Sequence, residues 1–199
     1  MTQTDIFPLS ISKFATVCDL PLTAVKFLHK EGLIPTAGGG GGQGYKLQFD
    51  QKSLVYGCAI AALSKAGIGV KAAGRLLKAV SKDTRWLAYM ILLHDMLNPD
   101  HFGDPRPSPT HDIIMELVDG RWIWVGRLTD FAGGSPLLLG AYDRLILERA
   151  KDVVLKTPES SDDRQQAADA RLVFTSKLSV NMSAYCRFAA MRLAATHLM

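Results

Sequence analysis

The sequence predicts an α+β chain, with an N-terminal all-α winged helix-turn-helix followed by a C-terminal part that mixes strands and helices. Three observations predict it. Apolar residues recur at helical spacing through the first 97 residues, punctuated by capping residues and glycines. Residues 98–110, with Pro99, Pro105, Pro107 and Pro109, then read as a linker or rigid loop. Beyond them the pattern turns to strands, at 113–118 and 122–128, around the turn-forming pair Asp119-Gly120.

Each N-terminal element has a local reason. Ser10 can cap a helix over 11–18 whose Ile11, Phe14 and Ala15 share an apolar face. Asp19 stands where the chain must turn, and Asp tolerates the left-handed conformation better than most residues. Pro21 suits the first turn of a second helix over 21–30, with Leu22, Val25 and Leu28 or His29 inward. Gly32 ends that helix and Pro35 blocks its continuation. A glycine run, 38–42, follows. The flanks Leu33-Ile34 and Tyr45-Lys46-Leu47 are expected to pair as a small hairpin with the glycines at its tip, which makes a wing. Asp50 caps a third helix to about Ala66, with Leu54, Cys58 and Leu63 inward, and Gly67 stops it. A fourth helix, 70–80, turns Leu76 and Leu77 inward. The segment 84–97 is apolar nearly all round, so it is expected to be buried or to dimerise.

In the C-terminal part, Trp122 and Trp124 alternate with Ile123 and Val125 across the strand. Residues 145–147 and 153–155 suggest another strand pair, 157–166 a polar mobile loop and 172–180 a strand. A closing helix over 183–197 puts Ala184, Phe188, Met191 and Ala195 on one face. Three units result: residues 9–80, the helix 84–97, and an effector or assembly domain over 110–199.

Charge points to a partner. Up to residue 80 there are nine lysines and arginines against four carboxylates, a surplus of +5. The whole chain carries +4, so the remainder nets −1. This split is expected when one module meets a polyanion and the other does not. Thr23, Lys26 and Lys30 share the outward side of the second helix. The three cysteines, Cys18, Cys58 and Cys186, are far apart and odd in number, with no zinc spacing or disulfide framework. No apolar run is long enough to cross a bilayer, and the first residues lack a secretory pattern, so a cytoplasmic protein with no membrane partner is expected.

The order Ser10-Ile11-Ser12-Lys13-Phe14-Ala15, Leu20 to Gly32-Leu33-Ile34-Pro35, Gly44-Tyr45-Lys46-Leu47, the helix after Asp50, and Leu63-Ser64-Lys65-Ala66-Gly67-Ile68-Gly69-Val70 resembles the MerR-type winged helix-turn-helix, over about residues 9–80. The resemblance implies that the second helix enters the major groove of double-stranded DNA and that the wing grips flanking phosphates. Where the family usually carries Arg-Tyr-Tyr-Glu, this chain has Lys26-Phe27-Leu28-His29, and Tyr45-Lys46 matches the family's wing. Thr23, Lys26, Phe27, Lys30, Tyr45 and Lys46 are thus the expected DNA contacts. The segment 84–97 is too short for the family's long dimerising helix, and the family's metal-sensing cysteines have no counterpart. The resemblance implies a homodimeric transcriptional regulator that is not an enzyme and needs no cofactor.

Two alternatives stand beside it. One is a DNA-architecture protein of a phage or mobile element, acting in excision or packaging. The other is a metal-dependent enzyme built on His94, Asp95, His101, Asp104, His111 and Asp112, whose side chains suit zinc, iron or manganese. The glycine run is no phosphate loop, because Tyr45 follows Gly44 where a Lys-Ser/Thr pair opening a helix is required.

Overall fold

Capping chemistry starts and stops the N-terminal helices. Strand β1 (Leu9–Ser10) runs into helix α1 (Ile11–Cys18), where the Lys13 amide donates to the Ser10 hydroxyl oxygen at 3.3 Å. The helix ends at Asp19, in the left-handed region at φ 59°. Helix α2 (Leu22–Lys30) follows Pro21, buries Val25 and Leu28, and closes at Gly32, φ 62°. Strand β2 (Gln48–Phe49) leads to helix α3 (Gln51–Lys65), where the amide and hydroxyl of Ser53 both donate to Asp50, at 2.7 and 2.6 Å. Helices α4 (Val70–Val80) and α5 (Thr84–Asp95) complete this part. The computed structural model describes residues 6–38, 46–97, 111–142, 155–173 and 176–197, and the protein is α+β, helices first and a sheet after them.

The wing departs from the expected pairing. Leu33 and Ile34 are buried in the core, so they are not free to form a hairpin arm. The Ala37 amide instead donates to the Gln48 carbonyl at 3.0 Å, Gly38 bridges Gln48, and β2 pairs antiparallel with β1. The arms therefore lie a few residues later on one side, and the strand before α1 supplies a third.

The second part is an antiparallel sheet. Its strands are β3 (Ile113–Val118), β4 (Trp122–Arg127), β5 (Leu137–Ala141) and β6 (Lys177–Asn181), in the order β5-β4-β3-β6. The β3–β4 hairpin turns through Asp119, Gly120 and Arg121, between the paired Val118 and Trp122, with Asp119 and Gly120 both at positive φ. Short helix α6 (Leu128–Ala132) links β4 to β5. Helix α7 (Ser161–Leu172) stands where a loop and the start of a strand were expected, and the strand is confined to β6. The reason is local: Ser160 and Asp163 form a reciprocal capping box, and Ala167, Ala168 and Ala170 favour a helix. The expected linker 98–110 lies outside the described residues, as does nearly all of the strand pair at 145–147 and 153–155.

Helix α8 (Met182–His197) joins the two parts. It follows β6 without a break and packs against α3, α1, α5 and β3. One core therefore runs from Ile6 to Leu193, drawing Ile113, Met115, Leu117, Ile123 and Val125 from the sheet's inner face. Ala184, Phe188, Met191 and Ala195 do share a face of α8, but Phe188 and Met191 are exposed on it, while Cys186, Ala189, Ala190 and Leu193 point inward. Helix α5 likewise buries one side only, with Trp86, Met90 and Leu93 inside and Leu87 and Ile91 outside. Leu22, expected inward, is also among the exposed apolar residues.

Candidate nucleic-acid interface

Helix α2 is held from beneath by Val25 and Leu28, both fully buried. Gly74 of α4 allows the close approach: a Cβ there would sit 2.8 Å from Leu28 Cδ2 and 3.2 Å from the Leu33 side chain. With that side fixed, Thr23, Lys26 and Lys30 stand together on the exposed side, as their spacing requires. Among the described residues no carboxylate pairs with Lys26 or Lys30. Phe27 is half-buried, and the Lys71 ammonium lies 6.0 Å from its ring centroid. Lys71 is a cation at this face that the periodicity did not single out, because it belongs to the first turn of α4. Lys46 is exposed, two residues before β2, and Tyr45 lies outside the described residues.

The turn between α1 and α2 is clamped from a distance. Lys65, at the end of α3, pairs with Asp19. Arg192 of α8 also reaches Asp19, at 3.3 Å, and donates to the Val17 carbonyl at 3.2 Å. The hydrogen bond from Lys65 is the main cause holding the Asp19 carboxyl below its usual range; partial burial opposes it and Arg192 reinforces it. Behind the turn, the thiols of Cys18, Cys58 and Cys186 meet where α1, α3 and α8 join, although the sequence spaces them far apart. Hydrogen bonding to Cys18 pushes the Cys58 thiol up, as hydrogen bonding to Cys58 does for Cys186, and burial adds to both. Such thiols are protonated and inert at neutral pH.

The residues of the metal alternative do not converge among the described residues. His94, Asp95 and His111 are exposed, whereas Asp112 is buried and its carboxylate is occupied. Arg187 binds it through both guanidinium nitrogens, and Asn181 donates to it at 2.7 Å. His101 and Asp104 lie outside the described residues. No group of three or more His, Cys, Asp or Glu among the described residues is arranged to hold a metal ion, and no described helix is long and apolar enough to cross a membrane. Comparison with protein-family models, with curated proteins and with solved structures found no match to this chain.

Proposed function

We propose that this chain binds double-stranded DNA in a sequence-dependent way, through α2 and the wing, as a homodimeric transcriptional regulator. The observation that carries the reading is the stripe Thr23, Lys26 and Lys30, exposed on a short helix whose other side is locked into the core. Such a helix fits the major groove, where Lys26 can reach a guanine edge or a neighbouring phosphate. Lys46 sits at the base of the wing and meets backbone only, so it positions without reading sequence. The charge surplus up to residue 80 favours the same partner. A dimer gives two half-sites, and the exposed Leu87 and Ile91 of α5 offer it a surface.

The test is a titration of the full chain on preferred and scrambled duplexes across salt. Log affinity should fall with log salt with a slope of about −0.9 per phosphate neutralised. Lys26→Ala should cost roughly 1–3 kcal/mol at the preferred site and less elsewhere. Lys46→Ala should weaken both duplexes alike and reduce the slope by about one phosphate. Ile91→Asp should turn a sedimenting dimer into a monomer. A folded chain that binds no duplex at low salt overturns the reading. Binding that ignores Lys26→Ala removes α2 from the groove.

A further inference from the structure

We propose that Leu22 is a specificity-determining residue that reads the methyl group of thymine in the major groove, so that the duplex this chain prefers carries thymine opposite the first turn of α2. The inference rests on the DNA reading above and names a base that the reading selects.

Helix α2 cannot rotate to take Leu22 inside. Val25 and Leu28 are both fully buried, and Gly74 lets α4 close on that side, so the orientation of the helix is fixed. Leu22 is left 38% exposed. Four-residue spacing sets Leu22, Lys26 and Lys30 in one row, and Thr23 is a neighbour of both Leu22 and Lys26. The first turn of α2 carries no acidic residue, while its last turn carries His29 and Lys30. The carboxylate that precedes the helix, Asp19, is taken by Lys65 and Arg192. The start of α2 is therefore an apolar tip on a cationic row, and Lys71 adds a further cation beside Phe27.

Among the base edges of the major groove, thymine alone presents a methyl group, and an apolar side chain is what recognises it. A recognition helix meets base edges with its N-terminal residues, which here are Leu22 and Thr23. Lys26 and Lys30 lie about 6 and 12 Å further along the helix, at about 1.5 Å per residue, within reach of a base edge and of the phosphate rim. Leu22 carries no polar atom, so it gains nothing from a phosphate or from the hydrogen-bonding edge of guanine. Against a thymine methyl, both groups leave water. The cations of the row supply affinity, and the leucine at its head supplies the choice of base.

The test uses the full chain and a duplex selected by repeated binding from a randomised pool. Each thymine of that duplex is replaced in turn by uracil, which pairs identically and lacks only the 5-methyl group. At one thymine or more the replacement should weaken the parent chain by about fourfold, the factor for one buried methyl. Leu22→Ala should weaken the unmodified duplex by about fourfold or more and should bind the uracil duplex as well as the unmodified one. Its thermal midpoint should stay near that of the parent, because the core does not hold the side chain. A selected duplex at which no uracil replacement costs the parent more than about twofold overturns this proposal and leaves the DNA reading standing. So does a folded Leu22→Ala chain that keeps the parent's sensitivity to uracil. A parent chain that enriches no duplex from the pool overturns the DNA reading, and this proposal with it.

Discussion

The helical region and the sheet differ in charge and in architecture, yet one core holds both. Up to residue 80 the surplus is +5 and afterwards −1, which would suit two separate modules. Among the described residues the joint between them is α8, which packs against α3 and α1. Helix α3 shows why. It is buried from Ser53 to Leu63, so it needs neighbours on every side, and α1, α4 and α5 cover only part of it. The last helix of the chain supplies the rest. Two regions that differ in net charge can therefore share one core.

The largest effect should come from removing that joint. A chain ending at residue 181 lacks Cys186, Ala189, Ala190 and Leu193 and leaves one side of α3 open to water. Each fully buried side chain of Leu size contributes about 1.5–3 kcal/mol, and whole domains are stable by only about 5–15 kcal/mol. The truncated chain should lose its cooperative thermal transition by circular dichroism. A fragment covering residues 1–97 that melts cooperatively would break the comparison and make the helical region an independent domain.

Next in size is the tie between the sheet and α8. Burial pushes the Asp112 carboxyl up, but the hydrogen bonds from Arg187 and Asn181 and the Arg187 charge outweigh it, so it sits below the usual carboxylate range. Asp112→Ala strands the Arg187 guanidinium and should cost about 3 kcal/mol in urea unfolding. The sign of the pH effect follows from the lowered pKa. The contribution is fully present above the unfolded value of about 3.9 and is lost as pH falls through the depressed folded value. Asp112→Asn should therefore flatten the stability loss below about pH 4. An unchanged acid limb would assign that loss to other carboxylates.

Two helical glycines sharpen the comparison within the helical region. A Cβ on Gly57 would sit 2.4 Å from Cys18 Sγ and 2.6 Å from Phe14 Cζ, so α1 and α3 cannot accept it without moving apart. Overpacking costs about 1–3 kcal/mol and alanine returns up to about 1 kcal/mol of helix propensity, so Gly57→Ala should lower the urea midpoint. At Gly74 the nearest atom is a Leu28 methyl at the end of a flexible side chain, so Gly74→Ala should cost less. Equal midpoints for the two variants would mean that α1 and α3 are not held as closely as their contacts require.

What the sequence made legible was local. Ser10, Asp19, Gly32, Asp50 and Gly67 mark helix ends through their own backbone and side-chain chemistry, and Asp119-Gly120 marks its turn in the same way. The Thr23, Lys26 and Lys30 stripe was legible because helical spacing alone puts these residues on one face. Contacts between distant residues were not. Nothing near Val17 announces that Arg192 will cap its carbonyl, and nothing in the α8 periodicity says which of its two apolar faces turns inward. The wing register was missed because Leu33 and Ile34 read equally well as strand or core, and packing decided for core. The capping box at Ser160 and Asp163 was present in the sequence but was hidden by the polarity of the helix behind it.

The smallest effect should lie at the turn that precedes α2. Lys65 and Asp19 are half exposed, with side chains 49% and 45% accessible, so their ion pair gains little over hydration and is screened by salt. Lys65→Ala should cost less than about 1 kcal/mol, and less still in high salt. Arg192 makes the same ion pair but also donates to the Val17 carbonyl, so Arg192→Ala should cost more. A double-mutant cycle separates the two. If Lys65 and Arg192 act on Asp19 independently, their costs add within about 0.5 kcal/mol. If each compensates for the other, the double variant loses more than the sum, and the turn is held by whichever cation remains. The second outcome is expected, because the two cations share one carboxylate oxygen, Asp19 Oδ2, and either suffices to neutralise it. Strict additivity would mean that the two cations act on Asp19 independently and that neither stands in for the other in holding the turn before α2.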